Sequence, residues 1–463
     1  MDLHVRSDPA LGRHLVAGRT FTRGEVVLAA APDVWAAIWP SPLHLSLPSP
    51  AELAILQRNP GVQVSRAASG GEPGGEAFAV LAAAWLLAIR ALLTRGTPTW
   101  ARLQTLDDNA SLRDPADAAV VSHFAEQLHA ALDCDSGGPT LSDCSRLLGA
   151  ILVNSFGTRS TVSEAAPDGL GLFVCLSLCN HSCDANAFCD FVCARAGEAS
   201  SPEEYKVSLR ASRPIEIGEP VHICYNDSIE PRYVRRRQLL RSKNFSCACS
   251  RCEDPTDGER FCSALRCRGC ARGWQLEQAT SDAWRCAACG CETAAREVEA
   301  WDAALRVRLG VAGEVEGGEE ACRVYAQIID AALERCHPNH AIVIQALVAA
   351  VGARSRSRPL DAASTLRTVA AAEAALRALE RTAHFDPQKA DVQFQAGTAW
   401  QAHASLLCAP AEAGARRTAL LQAAASFQKA LAQFRACHGD GSSPGRAAHA
   451  LAGLCLRAAH AQS

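Results

Sequence analysis

Apolar and polar positions change rhythm several times along this chain. Val16 to Phe21 and Val26 to Ala30 are short apolar stretches around the turn Thr22-Arg23-Gly24-Glu25, which predicts a small β unit over 1–32. Residues 41–76 are rich in Pro, Ser and Gly and read as connector, with one short helix over 51–58 capped by Ser49 and a flexible loop at Gly70 to Gly75. Helical spacing then predicts helices over 77–94, 116–132 and 142–153. Strand signals return between Gly169 and Tyr225: Tyr205 to Arg210 alternates with period two, and a turn at Pro214 to Glu219 leads into a strand over Val221 to Tyr225. From Ala294 onward, alanine-rich amphipathic helices are expected, with breaks at 310–313, 337–338, 357–359, 386–387 and 439–444. Paired helices at this spacing fit a tetratricopeptide-like array or a plain helical bundle equally well.

Length and charge narrow the classes. The 463 residues exceed one ordinary domain, so two or three are expected. A net charge of −3 gives no electrostatic reason to expect nucleic-acid binding. The run Arg232, Arg235, Arg236, Arg237 and Arg241 is local and reads as a solvated helix face. The first residues show no apolar signal core, and the best membrane candidate, Val80 to Leu93, is short and carries Arg90.

The 22 cysteines begin only at Cys134. Clustered at metal-ligand spacing, they point to zinc and to a reducing cytosol or nucleus rather than to disulfides. Cys267-x2-Cys270-x15-Cys286-x2-Cys289 is a complete four-thiolate ribbon, with Cys291 close enough to compete with Cys289. Cys247, Cys249 and Cys252 supply three ligands and need a fourth. Cys175, Cys179, Cys189 and Cys193 read as buried thiols.

Six short motifs fall in one order: Leu11-Gly12-Arg13-His14-Leu15, Asn154-Ser155-Phe156, Gly169-Leu170-Gly171-Leu172-Phe173, Asn180-His181-Ser182-Cys183, the stretch Ile215 to Tyr225, and Phe245 to Cys252. Together they resemble the SET domain of protein-lysine methyltransferases, specifically the SET-and-MYND (SMYD) group, over about 1–35 and 145–291. The resemblance implies an α+β fold. It comprises a β-rich SET core split between 1–35 and 145–244, a connector and helical insert over 36–144, a zinc-bound post-SET and ribbon segment over 245–293, and an all-α domain over 294–463. It also implies S-adenosylmethionine as cofactor, about two structural zinc ions and a protein lysine as substrate. A protein partner on the C-terminal helices, no membrane and no direct nucleic-acid contact complete the expectation.

On this resemblance Tyr225 orients the lysine amine and the methyl group. Gly12, Arg13, Asn154, Ser177, Asn180, His181 and Phe245 join Tyr225 around the cofactor, and Cys183 closes the set of Cys247, Cys249 and Cys252. Cys262 competes for that fourth place. Residues 36–133 contain no cysteine, so the MYND zinc finger is not expected. Two residues depart from the family: His14 replaces the second glycine of Gly-Arg-Gly, and Lys243 stands where many members carry a tyrosine. Both favour an alternative reading, a catalytically silent zinc scaffold that binds partners through its helical tail.

Overall fold

The structure, a computed structural model, describes residues 2–9, 12–37, 75–132, 138–158, 169–193, 205–270, 272–278, 283–315, 317–356, 361–382 and 387–461. The predicted helix over 51–58 and the glycine loop at 70–75 lie almost wholly outside these residues. The chain forms two compact units. One comprises Met1–His181, Ala185–Ile223 and Gln238–Ser246; the other comprises Ser182–Asp184, Cys224–Arg237 and Cys247–Ser463.

The first unit is built from short strands and a helical insert. Strands β1 (Leu3–Asp8) and β2 (Gly12–Ala17) pair antiparallel, from Leu3 opposite Ala17 to Asp8 opposite Gly12. The predicted first strand therefore lies earlier than 16–21, because the residues from Gly12 onward satisfy β1. Strand β3 (Val26–Ala30) is followed by β4 (Val34–Ala37), which the polar and apolar pattern does not single out. Next come helices α1 (Gly75–Leu93), α2 (Pro98–Leu103), α3 (Pro115–Ala131) and α4 (Leu141–Asn154). Their starts follow from sequence: Thr97 and Asp114 accept helix N–H bonds before Pro98 and Pro115, and Thr140 with Asp143 forms a reciprocal cap. Leu87, Ile89, Leu128, Leu147 and Ile151 pack with Leu170 and Leu172 into the core of this unit.

Strands β5 (Ser155–Thr158) and β6 (Gly169–Leu172) complete a sheet in the order β4-β6-β5. Strand β7 (Asn180–His181) is followed by β8 (Ala187–Cys193), β9 (Tyr205–Ala211) and β10 (His222–Ile223). The order β3-β9-β8 makes a second sheet, and β7 pairs parallel with β10. Only His222 and Ile223 of the predicted strand 221–225 hold strand geometry.

In the second unit, α5 (Arg232–Lys243, shared with the first unit) and the short α6 (Ser250–Glu253) precede an antiparallel sheet. That sheet is β11 (Leu265–Arg266), β12 (Trp274–Glu277), β13 (Ala283–Cys286) and β14 (Glu292–Ala294), in sequence order. Among the described residues, seven α-helices follow: α7 (Ala295–Glu314), α8 (Gly318–Leu333), α9 (Ala341–Arg356), α10 (Ala362–Thr382), α11 (Pro387–Leu406), α12 (Ala413–His438) and α13 (Ser443–His460). The expected break at 310–313 does not occur. Gly310 and Gly313 are accommodated within α7, and the chain turns instead at Gly317, whose φ of +102° suits glycine. Trp284, Leu305, Ile328 and Val343 form one core cluster of the unit; Ala423, Phe427 and Cys455 belong to another.

Candidate metal centres and cofactor loop

In the second unit, two groups of four thiols form. Cys183, Cys247, Cys249 and Cys252 place their sulfurs within 4.8 Å of one another, and so do Cys267, Cys270, Cys286 and Cys289. Local structure explains each placement. Cys249 precedes α6, and its carbonyl accepts the Cys252 N–H at 2.8 Å, so one helical turn brings both thiols to one side. The ribbon thiols sit on two turns, one after β11 and one at the end of β13, where Gly290 (φ +74°) donates to the Cys286 carbonyl.

The sulfur separations test whether a metal fits. Tetrahedral thiolates at about 2.3 Å from zinc lie about 3.8 Å apart. Cys183 and Cys252 are separated by 3.6 Å, Cys267 and Cys289 by 3.5 Å, and Cys270 and Cys286 by 3.8 Å. Each group could hold one metal ion. Cys262 lies outside the first group; burial pushes its thiol up to about 12. Cys291 lies outside the second, where its sulfur accepts from Gln275 Nε2 at 3.7 Å. The described thiols of Cys175, Cys179 and Cys189 join neither group, and burial pushes all three up.

The first unit carries the loop named by the Asn-His motif. Asn180 lies opposite His222, and His181 opposite Ile223. On the other side of that segment runs β2: Val221 N–H donates to the Leu15 carbonyl at 2.9 Å, and Ala17 N–H to the Glu219 carbonyl at 2.9 Å. The segment 219–223 thus lies between the strand of Gly12 and that of Asn180 and His181. Gly12 has φ +65°, and a Cβ built on it would meet nothing within 4 Å. Among the described residues nothing covers the backbone there, as a cradle for a ligand requires. The rings of His181 and Phe245 lie 6.0 Å apart.

Asn186, which the sequence reading missed, holds this arrangement. It is 1% exposed, donates to Glu219 Oε1 and the Pro220 carbonyl at 2.9 Å each, and accepts the His222 N–H at 2.8 Å. Its position six residues after Asn180 gives no local motif that would have revealed it. Burial, with His14 and His181 nearby, holds the His222 imidazole below its ordinary value.

Other residues expected near the cofactor have local duties. Arg13 donates through its guanidinium to the Thr105 carbonyl. His14 is 6% exposed and its Nδ1 lies 3.1 Å from the Gly12 carbonyl oxygen, so the ring folds back on its own strand. Asn154 Nδ2 donates to the carbonyls of Asp107 (2.6 Å) and Ala150 (2.9 Å), so Oδ1 is the atom it can offer a ligand. Ser177 Oγ donates to the Phe173 carbonyl at 3.1 Å. Lys243 Nζ donates to the Val153 carbonyl at 2.8 Å, and burial pushes its ammonium down to about 8.

Tyr225 belongs to the second unit and is half-buried. It stands between Cys224, whose thiol donates to the Asn226 carbonyl at 3.0 Å, and Asn226, whose Nδ2 donates to the Arg235 carbonyl at 3.1 Å. The arginine run departs from the expected solvated face. Arg232 and Arg235 are fully buried because they share one side of α5 with Leu239, while Arg237 and Arg241 face solvent.

Against known families, residues 12–226 match the SET domain. The chain carries a SET domain, and its relatives are of the SET-and-MYND type. A SET and MYND domain-containing protein of Dictyostelium discoideum is 32% identical over 94 residues, covering 20% of this chain and 24% of that protein. The human histone-lysine N-methyltransferase SMYD3 is 36% identical over 115 residues, 25% of this chain and 24% of that protein. The SET domain-containing protein SmydA-8, isoform B, of Drosophila melanogaster is 30% identical over 176 residues, 36% and 37% of the two chains. The match thus spans about a quarter of the length of the first two relatives.

Proposed function

We propose that this protein is an S-adenosylmethionine-dependent protein-lysine N-methyltransferase whose two cysteine groups hold structural zinc. The observation that carries the reading is the SET-domain match over 12–226, inside which the open Gly12 turn and the Asn180–His181 strand flank one segment. When bound, the cofactor supplies a methyl group activated on a sulfonium. Asn180 and His181 would hold it through backbone and side-chain hydrogen bonds, and Asn154 would contact its amino-acid end.

The protein's own share of the reaction is alignment. The substrate nitrogen must be neutral and in line with the bond that breaks, and alignment of this kind lowers a barrier by up to about 7–11 kcal/mol. On the family resemblance, Tyr225 would orient the amine with its hydroxyl. Beyond holding the reactants in line, the site would have to accept the lysine as its neutral amine, which an apolar surround favours over the ammonium.

The zinc groups fit donor chemistry and spacing, since thiolates suit a closed tetrahedral site. Cysteines clustered at metal-ligand spacing are the reason to place the protein in a reducing compartment, cytosol or nucleus. No described helix is long and apolar enough to cross a membrane. Helices α7–α13, each of α8–α12 packed on its successor, offer a surface for a protein partner.

A second reading rests on His14 and Lys243: a SET-like scaffold without turnover. Methylation of a peptide array with labelled cofactor tests the first reading. Calorimetric titration with S-adenosylmethionine separates the two, because a scaffold has no need to retain the cofactor. Absence of both signals rejects the enzyme.

A further inference from the structure

Beside the first cysteine group the second unit buries three charged side chains, Arg235, Arg251 and Asp257. Arg235, 0% exposed, points Nε at Cys183 Sγ, 3.3 Å away. Its Nη1 donates to the Glu230 carbonyl and, at 3.2 Å, to Asp257 Oδ2; its Nη2 donates to Asp257 Oδ1 at 2.5 Å. Arg251 reaches the same two places, donating to the Cys183 carbonyl at 2.6 Å and to Asp257 at 3.1 and 2.8 Å. Asp257 is itself 1% exposed and sits at φ +60°, on a turn where Gly258 and Glu259 also have positive φ. A backbone held in that region by buried ion pairs is one whose carboxylate position is fixed.

Four thiolates around a divalent cation leave surplus negative charge, and a ligand thiolate depends on N–H donors around it for its position. Cys247, Cys249 and Cys252 come from one short segment, whereas Cys183 arrives from far earlier in the chain. It is the ligand whose placement local structure does not secure. We propose that Arg235 is a positioning residue for this metal centre: its Nε–H fixes the Cys183 sulfur at the ligating position, and Asp257 fixes Arg235. Arg251 holds the Cys183 backbone to the same carboxylate. The ribbon group differs: there Cys267 Sγ accepts from the Gly269 backbone N–H at 3.3 Å. The two centres therefore respond differently to loss of a side chain. This inference rests on the zinc reading above.

The test uses the full chain loaded with zinc and challenged with an excess of a metallochromic chelator. Wild type releases about two zinc ions in two phases; Cys267→Ser identifies the ribbon phase by removing it. Arg235→Met is expected to speed the other phase about 10- to 100-fold, the usual consequence of losing such a partner. The ribbon phase stays unchanged. In the cobalt-loaded protein the thiolate-to-metal charge-transfer band moves to lower energy, because a sulfur without its N–H donor gives up electrons more readily. Arg235→Lys keeps the charge but cannot reach both Cys183 and Asp257, so it gives an intermediate rate and the same direction of band shift. Unchanged rate and band in both variants overturn the proposal. So does equal acceleration of both phases, which marks general loosening. A wild type without stoichiometric zinc instead removes the underlying reading before any arginine is changed.

Discussion

Lys243 carries a stability cost that can be measured. The ammonium sits half-buried with Nζ on the Val153 carbonyl at 2.8 Å, and burial brings it from its ordinary 10.5 down to about 8. At about 1.4 kcal/mol per pH unit, that difference corresponds to roughly 3 kcal/mol. The sign follows from which state prefers the proton. Unfolded Lys243 keeps its proton up to about 10.5, whereas the folded one releases it near 8. The fold therefore bears the full cost below about 8 and is relieved of it as pH rises from 8 to 10.5. Lys243→Met removes the charge and leaves the Val153 carbonyl without that donor, a loss of about 1 kcal/mol. The expected result is a variant more stable than wild type by about 2 kcal/mol at pH 7, with the advantage gone, and reversed by about 1 kcal/mol, near pH 10.5. Chemical denaturation of both proteins at matched zinc and ionic strength, taken at intervals from pH 7 to 10.5, gives the difference directly. A stability difference that stays constant across this window refutes the reasoning, because Lys243 would then titrate alike in both states.

The remaining predictions concern the proposed cofactor loop, the reaction and the tail. Asn180→Ala is expected to weaken S-adenosylmethionine binding by about 1–3 kcal/mol in calorimetry with the circular dichroism unchanged, since a hydrogen-bonding anchor is lost; equal affinity would place the cofactor elsewhere. Tyr225→Phe should lower turnover, or alter how many methyl groups are added by mass spectrometry, while cofactor affinity holds, because alignment acts in the transition state. A wild-type rate and product pattern would remove Tyr225 from the mechanism. Gly397→Ala in α11 should cost about 1–3 kcal/mol by overpacking, because its Cβ would come within 2.8 Å of the Phe427 ring; an unchanged thermal midpoint would show that the ring moves aside freely.

How much of this was legible in the sequence depends on the distance over which each constraint acts. Helices α3 and α4 were placed to within a residue or two because helical spacing is a local signal, and the caps that start them in the structure, Asp114-Pro115 and the Thr140/Asp143 box, are equally local. Strand β4 was missed because four residues carry too little period, and only pairing with β6 makes them a strand. The break expected at Gly310 and Gly313 failed because intrinsic glycine cost, about 1 kcal/mol each, is outweighed when Leu305 and Ala312 on the same helix are buried. The ribbon thiols were readable from spacing alone. The fourth thiol of the other group was not, and came from the family resemblance.

Arg235 shows where reading by composition goes astray. Five arginines in ten residues look like a wet surface, and by count that is the economical conclusion. Yet Arg232, Arg235 and Leu239 recur at helical spacing, the same test that finds apolar stripes. Applied to charge as well as to hydrophobicity, that period separates two buried arginines from their exposed neighbours. What the period cannot supply is the partner. Asp257 lies 22 residues beyond Arg235 on a turn of positive φ, and Cys183 lies 52 residues before it. A buried guanidinium needs its countercharge in place to be tolerated at all, so finding one in the structure directs attention to the carboxylate and sulfur that hold it.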